Sequence, residues 1–261
     1  MEIIKIGKLH TFDKDGNIQN SCILPIQQNE YKLVVNKIVA ELLVYIKTSI
    51  HSIYIRGSVA KGIAIPFVSD IDIIVILNNP YSEKEILEKK IDEIIREEYE
   101  YVNGIELFFI TQNDLLNSKI QFLLKTQCGC IYGKNVIDEI RNFKIEKEAF
   151  AHSENFHKDI QDTLAELKHE EDEFEIKSIC SWIMKRIIRT AFETVMIKDN
   201  NYTRDLYVNY EIFCNYHPNI KNEIKKVLEL AINPTNVKEE IIKAINGTAN
   251  YIQNEINKSN N

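Results

Sequence analysis

Asp70 and Asp72 stand at i and i+2 where the apolar run Ile73-Ile74-Val75-Ile76-Leu77 begins. Side chains alternate along a strand, so both carboxylates share one face, about 6–7 Å apart along the chain. Two like charges at the head of a core strand repel each other and lose hydration. A divalent cation is the natural compensator. Hard oxygen donors suit Mg²⁺, which takes one or two protein carboxylates together with substrate phosphates. Upstream, Gly57-Ser58 directly follows the apolar segment Ser52-Ile53-Tyr54-Ile55. Glycine lets a phosphate approach the backbone closely, and the Ser58 hydroxyl can donate to a phosphate oxygen. Lys61-Gly62 extends this loop with charge and flexibility. Eleven residues separate Ser58 from Asp70. Gly-Ser or Asp-x-Asp alone carries little; the joint pattern of strand, Gly-Ser, spacer, Asp-x-Asp and apolar strand reads as phosphate handling with a metal.

The elements that must position these residues follow from periodicity. Apolar positions Val34, Ile38, Leu42 and Tyr45 predict a helix over 30–48. Strands are predicted at 52–55, 71–77 and 104–111, with an amphipathic helix over 82–99 that turns Ile86, Ile91, Ile94 and Ile95 inward. Another helix is predicted over 112–127. Residues 1–25 read as short strands around a turn at Asp13-Lys14-Asp15-Gly16-Asn17. From about residue 145 only helical patterns remain, at 150–171, 174–198, 206–215, 219–231 and 236–257. The expectation is an α/β (α+β) chain in two domains: 1–145, a mixed sheet with flanking helices, and 146–261, a helical bundle. The run Glu170-Glu171-Asp172-Glu173 reads as a solvated turn between helices.

Composition bounds the class. The 261 residues are 44% hydrophobic and 27% charged, as in a globular protein with its own core. No apolar run approaches the roughly 20 residues of a membrane helix. The start Met1-Glu2-Ile3-Ile4-Lys5 shows no signal-peptide pattern, so a cytoplasmic protein is expected. A net charge of −7 gives no global basic footprint for nucleic acid and is compatible with a cationic small substrate. The five cysteines, Cys22, Cys128, Cys130, Cys180 and Cys214, contain no Cys-x-x-Cys pair, which argues against a disulfide framework or zinc ribbon. Cys128 and Cys130 read as free thiols at a helix end. Trp182 reads as core packing, and no histidine is assigned a role.

Gly57-Ser58 and Asp70-Ile71-Asp72 resemble the signature of the nucleotidyltransferase superfamily of the DNA polymerase beta type. The resemblance implies a third carboxylate on a later strand, for which Glu106 in Gly-Ile-Glu-Leu-Phe-Phe-Ile is the match. The whole chain looks most like the antibiotic (aminoglycoside) adenylyltransferases, which join a nucleotidyltransferase domain to a helical bundle. In these, an Arg and a later Ser-Lys of the bundle contact the nucleotide phosphates. Arg189, followed by Thr203-Arg204, looks similar here, with Thr-Arg in place of Ser-Lys. The resemblance implies AMP transfer from ATP to a hydroxyl of an aminoglycoside-like molecule, with release of pyrophosphate. Asp70, Asp72 and Glu106 would be the catalytic and metal-holding set for two Mg²⁺ ions. Gly57, Ser58, Lys61, Arg189 and Arg204 would hold the nucleotide, with the helical domain closing over it.

Two other readings share these residues. One keeps the chemistry and changes the acceptor to tRNA or a protein side chain, as in toxin-antitoxin nucleotidyltransferases; the acidic balance disfavours RNA. The other is a non-catalytic binding module on the same fold.

Overall fold

The structure, a computed structural model, describes residues 5–259. Four residues of the start read above, Met1–Ile4, lie outside the described residues. The chain divides into a sheet unit, Thr11–Lys144, and a helical unit formed by the residues up to His10 and from Ile145 onward.

In the sheet unit, helix α1 (Asn29–Ile46) precedes strand β1 (Ile50–Arg56) and the four-residue helix α2 (Gly57–Ala60). Strand β2 (Ile71–Leu77), helix α3 (Lys84–Glu98), strand β3 (Ile105–Thr111), helix α4 (Ser118–Gln127) and strand β4 (Gly129–Gly133) follow. The strand order is β3-β2-β1-β4. β1 is antiparallel to both β2 and β4, whereas β2 and β3 are parallel. The sheet is therefore mixed, with the most apolar strands at its centre, where both faces are covered.

Alternation divides the side chains between two layers. Ile53, Ile55, Ile71, Ile73, Val75 and Leu107 face α1 and α3, packing on Val34, Ile38, Leu42, Leu87, Ile91 and Ile95. Tyr54, Ile74, Ile76 and Ile110 face the other way, onto Leu124 and Val136. Arg56, Asp72 and Glu106 share this second face by parity. The edge strand β3 is protected by α3: Glu88 Oε1 accepts from the Leu107 amide at 2.8 Å, and Asp92 Oδ1 accepts from the Ile105 amide at 3.0 Å. Two carboxylates one helical turn apart thus take backbone donors that would otherwise template another chain.

The helical unit contains α5 (Phe156–His169), α6 (Glu173–Asp199), α7 (Leu206–Tyr216), α8 (Lys221–Ile232) and α9 (Lys238–Ser259). α6 runs through its middle, with Ile183, Met184, Ile187 and Ile188 fully buried. Asp172, from the acidic run, caps α6 by accepting from the Phe174 and Glu175 amides at 2.9 and 3.0 Å. Among the described residues, no helix is long and apolar enough to cross a membrane.

Several local expectations are corrected. Ile86 is 69% exposed and Leu87 takes the inward position. The helix expected over 112–127 is a 3₁₀ turn (Gln112–Leu116) followed by α4, whose N-terminus Asn117 caps. Cys128 and Cys130 flank the start of β4, a strand the periodicity missed because it is short and glycine-bounded. The turn at Asp13 supports an isolated bridge between Phe12 and Ile18. Residues 8–10 pair with the helical unit: His10 N donates to Tyr202 O, Lys8 N to Asp205 Oδ2, and Thr203 Oγ1 to Lys8 O.

Candidate active site

The register of the sheet brings three charged residues side by side. Arg56 on β1 is opposite Asp72 on β2, and Asp72 is opposite Glu106 on β3. Parity puts all three on one face, beyond the apolar cover over Tyr54, Ile74 and Ile110. Arg56 Nη2 lies 2.9 Å from Asp72 Oδ1 and 3.1 Å from Glu106 Oε2. Loss of hydration pushes the Glu106 carboxyl above its ordinary range. Arg56 opposes that shift, and the adjoining Asp72 charge adds to it.

Gly57 explains itself against this cluster. Its φ is 75°, in the left-handed region, and a Cβ there would fall on Asp72 Oδ2. Only glycine satisfies both conditions. The backbone at the end of β1 therefore lies against the Asp72 carboxylate and leaves a cradle that a side chain would fill. Ser58 and Lys61 follow in and just after α2, both partly buried. The Lys61 amide returns to Gly57 O, and the Ile63 amide to Ser58 O, which closes the turn. Farther along, Phe67 also adopts a positive φ of 65° and is 70% exposed. Its amide donates to Tyr101 O at 2.7 Å, while Ser69 Oγ accepts from the Ile65 amide. A bulky residue in this conformation costs roughly 1–3 kcal/mol, so the loop is held by its surroundings.

Asp70 precedes β2. Its Oδ1 accepts from Asn103 Nδ2 at 2.7 Å. Among the described residues, no group of three or more His, Cys, Asp or Glu side chains surrounds a common cation position. The pair Asp72 and Glu106, with the Gly57 cradle beside it, is a hard-oxygen donor set of the size Mg²⁺ uses when phosphates complete its shell.

Arg189 and Arg204 stand in the helical unit. They line one small cavity of about 10 Å³ with His152, Glu193, Thr203 and Asn209. Burial and then the charges of Arg204, Arg189 and Arg186 push the His152 imidazole well below its ordinary pKa, so it is neutral. Its Nδ1 accepts from Arg186 Nη1 at 2.6 Å, and Arg186 also pairs with Asp159 at 2.5 Å. Glu193 accepts from the amides of Ala151, His152 and Ser153 at 2.8–3.1 Å. Burial raises its proton affinity despite those bonds.

His152 thus precedes α5 rather than lying on it, and it has a defined role in this polar cluster. Trp182, expected in the core, is 52% exposed. With Lys185 and Arg189 it follows a helical spacing of three and four residues along the less buried side of α6. Arg56, Asn103 and Glu193 escaped the sequence reading. A signal existed for Arg56: a cation ending an apolar strand, with an acid opening the next.

Residues 35–126 match the family model of the nucleotidyltransferase domain. No curated protein matches the chain. Among solved structures, the chain is similar to spectinomycin adenyltransferase AAD(9) from Enterococcus faecialis, solved with ATP and spectinomycin. The TM-score is 0.58 at 16% identity, over 86% of this chain and 98% of that one. At that identity the likeness speaks for the fold. A nucleotidyltransferase-like protein from Exiguobacterium sibiricum 255-15 also matches, with a TM-score of 0.31 and 13% identity over 89% of this chain and 78% of that one.

Proposed function

We propose that the chain, whose residues 35–126 match the nucleotidyltransferase domain, transfers AMP from ATP to a hydroxyl of an aminoglycoside-like antibiotic. The observation that carries the reading is the in-register Asp72–Glu106 pair beside the left-handed Gly57. A fold shared with an adenylyltransferase solved with ATP and spectinomycin supports the choice of nucleotide and acceptor class. A net charge of −7 suits a cationic acceptor.

In this mechanism the acceptor oxygen bonds to the α-phosphorus, the bond from that phosphorus to the β-bridging oxygen breaks, and pyrophosphate leaves. Asp72 and Glu106 would hold Mg²⁺; Asp70, whose Oδ1 accepts from Asn103 Nδ2 here, is the further carboxylate that the family resemblance implies. When bound there, the ion would neutralise triphosphate charge and make the attacking hydroxyl more acidic. Glu106 accepts the hydroxyl proton, a task suited by its raised proton affinity. Gly57 and Ser58 orient the phosphates, and Lys61 adds positive charge to that loop. Arg189 and Arg204 are proposed as nucleotide-binding cations of the helical unit on the family resemblance alone.

The test is transfer of label from α-labelled ATP, with pyrophosphate release, across a panel of aminocyclitol and aminoglycoside antibiotics that begins with spectinomycin. A labelled antibiotic is the expected product. Label on tRNA or protein, with none on any antibiotic, overturns the acceptor; no pyrophosphate release with any acceptor overturns the reaction.

A further inference from the structure

Arg56 ends β1 one residue before Gly57-Ser58, and its guanidinium joins two acids that would otherwise repel each other. A single nitrogen, Nη2, serves both Asp72 and Glu106 at 2.9 and 3.1 Å. That nitrogen occupies the position that a cation shared by the two carboxylates would take. The arrangement is not the parallel fork of a structural arginine–carboxylate pair, in which two nitrogens meet two oxygens of one acid. Arg56 Nε is buried and has no acceptor, although the side chain is only 19% exposed. A buried cation with an unsatisfied donor, neutralising a carboxylate pair through one atom, is a good electrostatic partner and a poor hydrogen-bonding one. It gains from exchanging those acids for an acceptor with more oxygens.

Resting on the nucleotidyltransferase reading above, we propose that Arg56 is a positioning residue that stands in for the metal. It holds Asp72 and Glu106 together while no cation is bound, and it yields their oxygens when divalent metal and nucleoside triphosphate arrive. The triphosphate is then its next acceptor, because the proposed phosphate loop follows it directly in the chain. Two consequences follow from charge alone. Metal by itself must compete with a guanidinium for the same oxygens and binds weakly. Metal with triphosphate meets a guanidinium that has somewhere to go, so cation loading is coupled to nucleotide loading.

The experiment counts free Mn²⁺ by electron paramagnetic resonance in titrations of the full chain, as wild type and as Arg56→Gln, without nucleotide. Removing a like charge a few ångströms from the cation should tighten Mn²⁺ binding about tenfold or more. In metal-free buffer Arg56→Gln should melt at a lower temperature, and Mn²⁺ should restore more of the loss than it adds to wild type. A non-hydrolysable α,β-methylene analogue of ATP should tighten Mn²⁺ binding more in wild type than in the variant. Equal or weaker Mn²⁺ binding by Arg56→Gln overturns the stand-in role and leaves the proposed reaction untouched. Absence of Mn²⁺ binding in both proteins, with and without the analogue, overturns both. Should Arg56→Gln fail to fold, the side-chain Nε resonance of Arg56 in wild type, assigned through Arg56→Lys, takes its place. It should shift on saturation with Mg²⁺ and the analogue; an unmoved resonance overturns the proposal.

Discussion

Asp72 on β2 is the in-register parallel-strand partner of Glu106 on β3, and one Arg56 nitrogen makes an ion pair with both carboxylates. This pairing ties the proposed chemistry to the sheet. A shift of β3 by one residue would turn Glu106 to the α1 and α3 layer and leave Asp72 beside an apolar side chain.

Asp72→Asn and Glu106→Gln keep shape and remove charge. Each should lower turnover by about 10²-fold or more, the scale of lost electrostatic or proton-transfer groups. Circular dichroism should show both variants folded. Rates within a few-fold of wild type in the labelled-ATP assay would remove these acids from the reaction.

Gly57→Ala tests the cradle. Its Cβ meets the Asp72 carboxylate at a backbone φ of 75°. The expected loss is roughly 1–3 kcal/mol in denaturant unfolding, with activity falling because Asp72 is displaced. An unchanged midpoint would mean that the segment relaxes without cost.

His152 gives stability a pH dependence. Its folded pKa is depressed by burial and then by the three neighbouring arginines. The unfolded chain therefore binds a proton near pH 6.5 that the folded chain refuses, and stability present above that pH is lost as pH falls below it. Glu193, raised by burial, works in the opposite sense at more acid pH, so the comparison must be differential. His152→Asn keeps an acceptor for Arg186 and removes the titration. Its melting temperature should fall less than that of wild type between pH 7.5 and 5.5. Parallel melting curves would place the titration elsewhere.

Glu88→Ala strips one carboxylate from the β3 edge and leaves the Leu107 amide without its partner. The expected cost is about 1–2 kcal/mol, with an added tendency to self-associate through the bared edge. Denaturant midpoints and light scattering read the two effects separately. Unchanged stability would show that water satisfies that amide as well.

Much of the local structure was legible from residue order. β2 was bounded residue by residue, because five apolar residues after Asp72 admit only a buried strand. α3 was located, yet its inward face was misassigned at Ile86, since both Ile86 and Leu87 fit an amphipathic stripe and only packing against α1 and the sheet chooses between them. β4 was invisible because five residues bounded by glycine carry no period. Trp182 was misplaced because a tryptophan on a largely apolar helix favours burial, whereas its side chain is half exposed in the structure.

By itself the sequence determined which chemistry was possible: acids at i and i+2, a glycine where phosphate could approach, and strands and helices set by local period. It could not determine which charges meet. That Asp72 faces Glu106, that Arg56 lies between them, and that Asp70 turns to Asn103 depends on strand order and register. Those are settled by the packing of distant segments against one another, and no local spacing encodes them.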